Sequence, residues 1–156
     1  MIIKYSPLPD FKDKTILAPL IPVTFFNGKY EFSTFALVDS GATGAVISTV
    51  IADALNIKWN KIPLAQGFSV GGPLRSHRFN GLKINVYGHE FTLSIGIIEG
   101  ASPFKCILGQ RDLFQRAKIT FQGYKSQFEV IFREYNWYVL LSKDWLTEKN
   151  VDDILN

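Results

Sequence analysis

The sequence predicts an all-β protein: a closed or nearly closed β-barrel with one or two short helices and a C-terminal helical tail. Short β-prone runs recur at regular spacing, and turn signals separate them. Aromatic residues make up 14% of the chain, with 13 Phe against one Met, which suits a β-rich core. A chain of 156 residues is long enough for one domain that needs no disulfide or metal to hold it together.

The first part of the chain predicts a β-hairpin. Residues 16–26 are apolar and β-prone, and residues 30–38 have the same character. Asn27-Gly28 lies between the two runs and is the strongest short hairpin signal. We therefore expect the two runs to pair as antiparallel strands.

A short strand and a helix are predicted next. Residues 45–47 are extended, and Ser48 is expected to cap a helix over about residues 49–55, because its hydroxyl can accept a backbone N–H. The apolar face predicted for this helix consists of Val50, Ile51, Ala54 and Leu55.

Glycine-rich turns organise the rest of the predicted barrel. Residues 63–80 combine glycines with β-forming residues and predict a long hairpin with a glycine-rich tip. Asn80-Gly81 and Gly88-His89 give two more turn signals. The remaining predicted elements are strands over residues 82–87, 90–98 and 104–108, a short helix over residues 110–117, and a hairpin around Gly123 formed by residues 118–121 and 127–132.

Composition and charge exclude several classes of function. The net charge is +3, but the basic residues are scattered and form no basic helix, so we expect no nucleic-acid partner. No apolar run approaches the roughly 20 residues of a membrane span, and the N-terminus does not read as a signal peptide. Cys106 is the only cysteine, which favours a reducing, cytoplasmic compartment.

No cofactor or metal is expected either. His77, His89 and Cys106 are too few for a zinc site and lack ligand spacing. Cys106 lies in an apolar run and is expected to be a buried, inert thiol.

The chemical signal of the sequence is an apolar strand that runs directly into an acid. Residues 35–38 are apolar, and Asp39-Ser40-Gly41 follows at once. A strand core normally excludes Asp, so an Asp at its exit requires a reason. Taken alone, the triplet could equally be a turn that closes a hairpin.

The context of the triplet resembles a known family. Residues 36–48, ALVDSGATGAVIS, resemble the active-site segment of retropepsin-like aspartic proteases. The second family signature, an apolar pair followed by Gly and a short helix, matches Ile107-Leu108-Gly109 and residues 110–114. The hairpin of residues 63–80 lies where the family has its flap. The resemblance covers about residues 17–132 and is nearest to the small prokaryotic single-domain members, which share the segment Leu20-Ile21-Pro22-Val23.

The resemblance implies a division of the chain. Residues 1–132 would form a retropepsin-like aspartic protease domain with the acid-protease barrel. Residues 133–156 would form a C-terminal extension with an aromatic segment and a helix that begins near Ser142 or Asp144. This extension lies outside the family pattern, so the family's terminal dimer sheet does not transfer to it.

The resemblance also implies a homodimeric enzyme. The family's chemistry needs two adjacent carboxylates that share a proton, but this chain has only one Asp-Ser/Thr-Gly triplet to supply such a carboxylate. Asp39 would therefore come from each of two copies across a two-fold axis and activate a water that attacks a peptide bond. Ser40 would orient the loop, and Gly41 would let the backbone approach the substrate. The substrate would be a peptide or an unfolded protein.

The family's substrate-binding positions map onto three parts of this chain. The residues implied are Ala42, Thr43 and Val46 after the acid, Ser69, Val70, Gly71 and Gly72 at the flap tip, and Ile107 in the second signature. The apolar ones among them predict hydrophobic residues on both sides of the cleaved bond. Thr43 stands where viral members carry a second Asp, so the backbone contact that this Asp makes is not expected here.

Two other functions remain open at the level of sequence. A catalytically weak or inactive dimer of this fold could bind peptides or proteins, because a fold alone does not grant activity. A dimer whose tail recruits a regulatory partner is a further alternative. Gly67-Phe68-Ser69-Val70-Gly71 matches the nucleophile elbow of serine hydrolases, but no helix signal follows it, so we do not expect that chemistry.

Overall fold

The computed structural model describes residues 1–8, 12–69, 72–99 and 105–133. These residues are mostly β, as the sequence predicts, and they include few helices. The strands are β1 (Ile2–Lys4), β2 (Ser6–Pro7), β3 (Leu17–Ala18), β4 (Leu20–Asn27), β5 (Tyr30–Val38), β6 (Ala45–Ser48), β7 (Leu64–Ser69), β8 (Gly72–Val86), β9 (His89–Ile98), β10 (Cys106–Leu108), β11 (Ala117–Gln122) and β12 (Gln127–Phe132). The helices are α1 (Thr49–Ala54) and α2 (Leu113–Arg116), with 3-10 turns at Trp59–Lys61 and Gly123–Lys125.

One large sheet dominates the described residues. Its strand order is β4-β5-β10-β6-β9-β8-β7, and β4 also pairs with β8. The pairs β5–β10 and β6–β9 are parallel, whereas the other pairs in this sheet are antiparallel. A second sheet has the order β1-β12-β11, and β2 pairs with β3. The sequence did not predict β1, which is too short to carry a periodic pattern and is defined by its pairing with β12.

The hairpin predicted around Asn27-Gly28 is confirmed. β4 and β5 pair from Leu20 opposite Leu37 to Asn27 opposite Tyr30. Gly28 has a φ of +59° at the first position of the two-residue loop. Glycine adopts this left-handed conformation without steric cost, and the twist of such a loop matches that of the strands.

The turn predicted at Asn80-Gly81 is wrong. β8 continues through these residues, and its pairing with β9 is interrupted by a bulge between Phe79 and Leu82. Gly81 has a φ of +82°, which a bulge can require as well as a turn. The bulge lets one long strand pair with β7 in its first half and with β4 in its second half. The turn predicted next lies at Tyr87-Gly88 and joins β8 to β9.

Helix α1 is where the sequence predicts it, but only Ile51 and Leu55 of its predicted apolar face are buried. Ser48 occupies the N-cap position, yet its hydroxyl makes no capping hydrogen bond. The buried residues are Ile51, Ala52 and Leu55, whereas Val50 is 58% exposed. Ala54, also predicted for the apolar face, is exposed. A helix of six residues is too short for the 3.6-residue period to define a face, so its packing against β5 and β6 decides it.

Most of the core is one large cluster of apolar side chains, chiefly from the large sheet, α1, α2 and β12, and a second, small cluster consists of Leu8, Ala18 and Leu20. The largest fully buried side chains of the core are Phe25 and Phe128. Helix α2 begins at Leu113, three residues later than the predicted start, because residues 110–112 form turns that bond to the loop after Asp39. In the described part of the chain, no helix is long and apolar enough to cross a membrane. The tail helix, predicted to begin near Ser142 or Asp144, lies outside the described residues.

Candidate functional site

Asp39 is the first residue after β5, at the point where this strand meets β10. The two strands pair in parallel, with Leu108 opposite Val38. The Asp39 N–H donates to the carbonyl of Leu108 at 3.1 Å, which continues the pairing by one residue. The carboxylate is fixed locally, because its Oδ1 accepts the Gly41 N–H at 2.8 Å. Asp39 is thereby held at the C-terminal end of β5 while remaining partly exposed.

The Asp39 loop, residues 39–44, is held by the segment that leads into α2. The Gln110 N–H donates to the Ala42 carbonyl at 2.9 Å, and the Arg111 N–H donates to the Thr43 carbonyl at 3.0 Å. The Gln110 side-chain amide donates to the Ser40 carbonyl at 2.6 Å. These three hydrogen bonds join two segments that lie about 70 residues apart in the chain.

Gly109 allows this close approach. A Cβ at this position would lie 2.5 Å from the Ala42 carbonyl oxygen and 2.9 Å from the backbone N and O of Gly44. Side-chain carbon atoms do not approach backbone atoms so closely, so only glycine fits between β10 and the Asp39 loop. The close approach of the first signature therefore explains, on steric grounds, why the second signature has a glycine at this position.

A cleft of about 830 Å³ opens beside Asp39. Several residues predicted to bind substrate line it together with Asp39: Gly41, Ala42, Thr43, Val46 and Ile107. The hairpin of β7 and β8 forms its opposite wall, through residues that include Ala65, Gly67, Phe68, Leu74 and Ser76. Phe68 is 91% exposed, so a large apolar ring is presented to solvent near the hairpin tip.

Of the remaining predicted site residues, Ser40 and Gly72 do not line the cleft. Ser40 is exposed, and its carbonyl is used by Gln110. Ser69 and Gly72 pair with one another at the hairpin tip. Val70 and Gly71, which were predicted to contact substrate at this tip, lie outside the described residues.

Asp112 is a feature of the cleft that sequence reasoning missed. The sequence suggests that Asp112 caps α2 or pairs with a charge, yet it makes no capping hydrogen bond, and no ion pair with it is found within the described ranges. The residue is only 6% exposed, lines the cleft, and has no hydrogen-bond partner for Oδ2 among the described residues. Burial raises the pKa of this carboxyl, although the Ala45 amide and nearby arginines act in the opposite direction.

Three arginines share the cleft with Asp112. Arg78 comes from β8, Arg111 precedes α2, and Arg116 is the last residue of α2. Arg78 is distant in sequence from Arg111 and Arg116, so only the fold brings it to the other two. The sequence offered no signal for them, because scattered basic residues are also what an ordinary solvated surface contains.

The other titratable residues singled out from the sequence lie outside this site. Cys106 is buried on β10, and burial raises the pKa of its thiol far above the usual range. His77 lies at the base of the β7–β8 hairpin, where its ring contacts the Ile62 carbonyl and Glu99. His89 stacks on Phe132 with the ring centres 3.9 Å apart. Within the described ranges no three His, Cys, Asp or Glu residues form a group that could hold a metal ion.

The nucleophile-elbow pattern also lacks its structural context. Gly67, Phe68 and Ser69 belong to strand β7, which pairs residue by residue with β8. The elbow of serine hydrolases requires a sharp turn from a strand into a helix at the serine. The described part of this segment is instead one arm of a hairpin.

Comparison with known proteins gives no further assignment. No protein-family model matches the chain, and no curated protein matches it either.

Proposed function

We propose that the protein is an aspartic endopeptidase of the retropepsin-like type, active as a homodimer. Two copies of Asp39, one from each subunit, would share a proton and activate a water for attack on a peptide bond. The observation that carries the proposal is the position of Asp39: a carboxylate fixed by the Gly41 amide at the edge of a cleft, opposite a β-hairpin.

The strand pairing supports the same proposal. β4 pairs with both β5 and β8, so the neighbours of the large sheet form a closed circuit, as a barrel of the acid-protease type requires. The two sequence signatures, around Asp39 and around Gly109, are joined by direct hydrogen bonds. Patterns that lie far apart in sequence yet contact one another in space favour one shared role.

The chemistry follows from two carboxyls in one site. Two acids about 3 Å apart cannot both ionise, so the pair holds one proton at working pH. The ionised member takes a proton from the water while the other donates its proton to the scissile carbonyl. Val46 and Ile107 are half-buried in the cleft wall and favour apolar side chains beside the cleaved bond. Because one acid must stay protonated, we expect an acidic pH optimum.

The first test is cleavage of an unfolded protein across about pH 3–7 by the wild type and by Asp39→Asn. The proposal expects cleavage by the wild type that a statine-type inhibitor blocks, and none by Asp39→Asn. Asp13→Asn is the matched control, because Asp13 is exposed and, among the described residues, bonds only with Thr15 in its own loop. Equal cleavage by the wild type and by Asp39→Asn would reject the peptidase and favour the alternative, a dimer that binds peptides without cleaving them.

A mixing experiment tests the shared dyad. When a fixed amount of wild type exchanges subunits with an equal amount of Asp39→Asn, about half of its activity should disappear, because mixed dimers contain only one competent acid. Adding Asp13→Asn instead should increase the activity. Sedimentation that gives only monomer at high concentration, or mixing that leaves wild-type activity unchanged, would reject the homodimeric site.

A further inference from the structure

We propose that the cleft contains a basic subsite, formed by Arg78, Arg111 and Arg116, that binds an acidic side chain of the peptide substrate. The inference rests on the proposed peptidase function and names a substrate preference for the same cleft. It adds a carboxylate of Asp or Glu, bound away from the cleaved bond, to the apolar residues expected beside that bond.

The three arginines approach the cleft from different elements. Arg78 lies opposite Gly96 on the neighbouring strand, so no side chain stands across from it on β9. Arg111 is fixed at its backbone by the bond from its N–H to the Thr43 carbonyl. The Arg116 guanidinium lies 4.8 Å from the centre of the Phe91 ring on β9, a cation–π contact that restrains it. Two of these three positions are therefore tied to rigid parts of the fold.

Their charge is not neutralised within the described part of the chain. None of the three arginines has a carboxylate oxygen within 4.0 Å there. Their acidic neighbours in the cleft lining are Asp39, which the peptidase reaction uses, and Asp112. The positive charges of the arginines act on the Asp112 carboxyl, but none of them forms an ion pair with it. Its buried Oδ2 has no hydrogen-bond partner among the described residues. The lining therefore retains a positive excess that a carboxylate from outside could complement.

The neighbouring side chains suit a polar ligand. Thr92 and Ser94 also line the cleft from β9 and carry hydroxyls, of which that of Ser94 donates to the Asn80 side-chain carbonyl. The apolar residues Val46 and Ile107 line the same cleft, and Val46 pairs with Gly96, which also lies opposite Arg78. An arginine presents its N–H groups as a planar fork that matches a carboxylate, and such charge-assisted bonds are about twice as strong as neutral ones. A partly enclosed cleft reduces the screening that weakens ion pairs at an open surface.

The test uses pairs of fluorogenic peptides that differ only by Glu or Gln at one position. The position is moved in turn from four residues before the cleaved bond to four residues after it. At the position that reaches the arginines, and at about pH 6, where the Glu side chain is ionised, the wild type should cleave the Glu peptide at least about fivefold better by kcat/KM. The Glu:Gln ratio should fall to near one in Arg78→Gln and Arg116→Gln. It should also fall in the wild type at about 1 M salt.

Arg75→Gln is the matched control. Arg75 lies three residues before Arg78 on β8 and is exposed like it. Unlike Arg78, it does not line the cleft. Its substitution should leave the Glu:Gln ratio at the wild-type value. Circular dichroism and melting temperature of each variant would show that a lost ratio does not come from lost fold.

The outcomes separate this inference from the proposed function. Cleavage with a ratio near one at every position would reject the basic subsite while the peptidase stands. A preference for Glu that survives both arginine substitutions would reject these residues as its source. If the wild type cleaves no peptide, the fluorescence anisotropy of labelled Glu and Gln peptides measures whether the protein binds the Glu peptide more tightly. Tighter binding of Glu, lost in Arg78→Gln, would support the subsite on a binding protein, and equal or absent binding would reject it.

Discussion

The substitution Gly109→Ala tests whether the two signatures of the sequence pack as one unit. The added methyl would sit 2.5 Å from the Ala42 carbonyl oxygen, whereas real Cβ atoms keep at least 3.0 Å from such atoms. The Asp39 loop would therefore have to move by at least about 0.5 Å. It cannot move alone, because the Gln110 and Arg111 amides bond to the Ala42 and Thr43 carbonyls.

The expected cost follows from this geometry. Inserting a methyl into well-packed structure usually costs about 1–3 kcal/mol, and the clash here is with backbone on two sides, so we expect about 3 kcal/mol. In a domain of this size that lowers the melting temperature by about 6–12 °C. The cleavage rate should also fall, by up to about 100-fold, since displacing a reacting group by about 1 Å can cost that much.

Denaturant unfolding followed by tryptophan fluorescence measures the first effect, and peptide cleavage measures the second. Gly123→Ala is the control, because a Cβ there meets nothing within 4 Å. We expect this control to unfold within about 1 kcal/mol of the wild type. If Gly109→Ala unfolds at the same denaturant concentration as Gly123→Ala, the proposed close packing of the two signatures is wrong.

Two further predictions concern titratable groups outside the cleft. Both ring nitrogens of His77 face acceptors, the Glu99 carboxylate at 3.0 Å and the Ile62 carbonyl at 2.7 Å, and these contacts, Glu99 first, raise its pKa above 6.5. A raised folded-state pKa stabilises the fold fully below the unfolded value and loses that effect as pH rises through the folded one. Glu99→Gln should therefore lower the free energy of unfolding at about pH 5.5 and have little effect near pH 9. An equal loss at both pH values, or the same profile in exposed Glu31→Gln, would contradict this. Cys106, the only cysteine, is 1% exposed and its thiolate is disfavoured by burial. A thiol reagent at about pH 8 should label the native protein at least about 100-fold more slowly than the unfolded protein, and equal rates would show that β10 is open.

Local chemistry allowed the sequence to predict several of the hairpins. The hairpin at Gly28 and the last hairpin around Gly123 depend on residues that are adjacent in the chain, so turn residues and alternation identify them. The position of Asp39 at the exit of a strand could also be predicted, because an acid interrupts an apolar run. The same local rule failed at Asn80-Gly81, since a positive φ is required by a bulge as well as by a turn.

Tertiary structure decided what depends on distant segments. The buried face of α1 is set by its neighbours, because six residues cannot define a period. The burial of Asp112 and the gathering of Arg78, Arg111 and Arg116 around one cleft come from the packing of β8 and α2 beside the Asp39 loop. The sequence by itself determined where an acid meets a glycine-rich loop. Only the fold decided which charges surround it, because charges have no periodicity along the chain and interact through space.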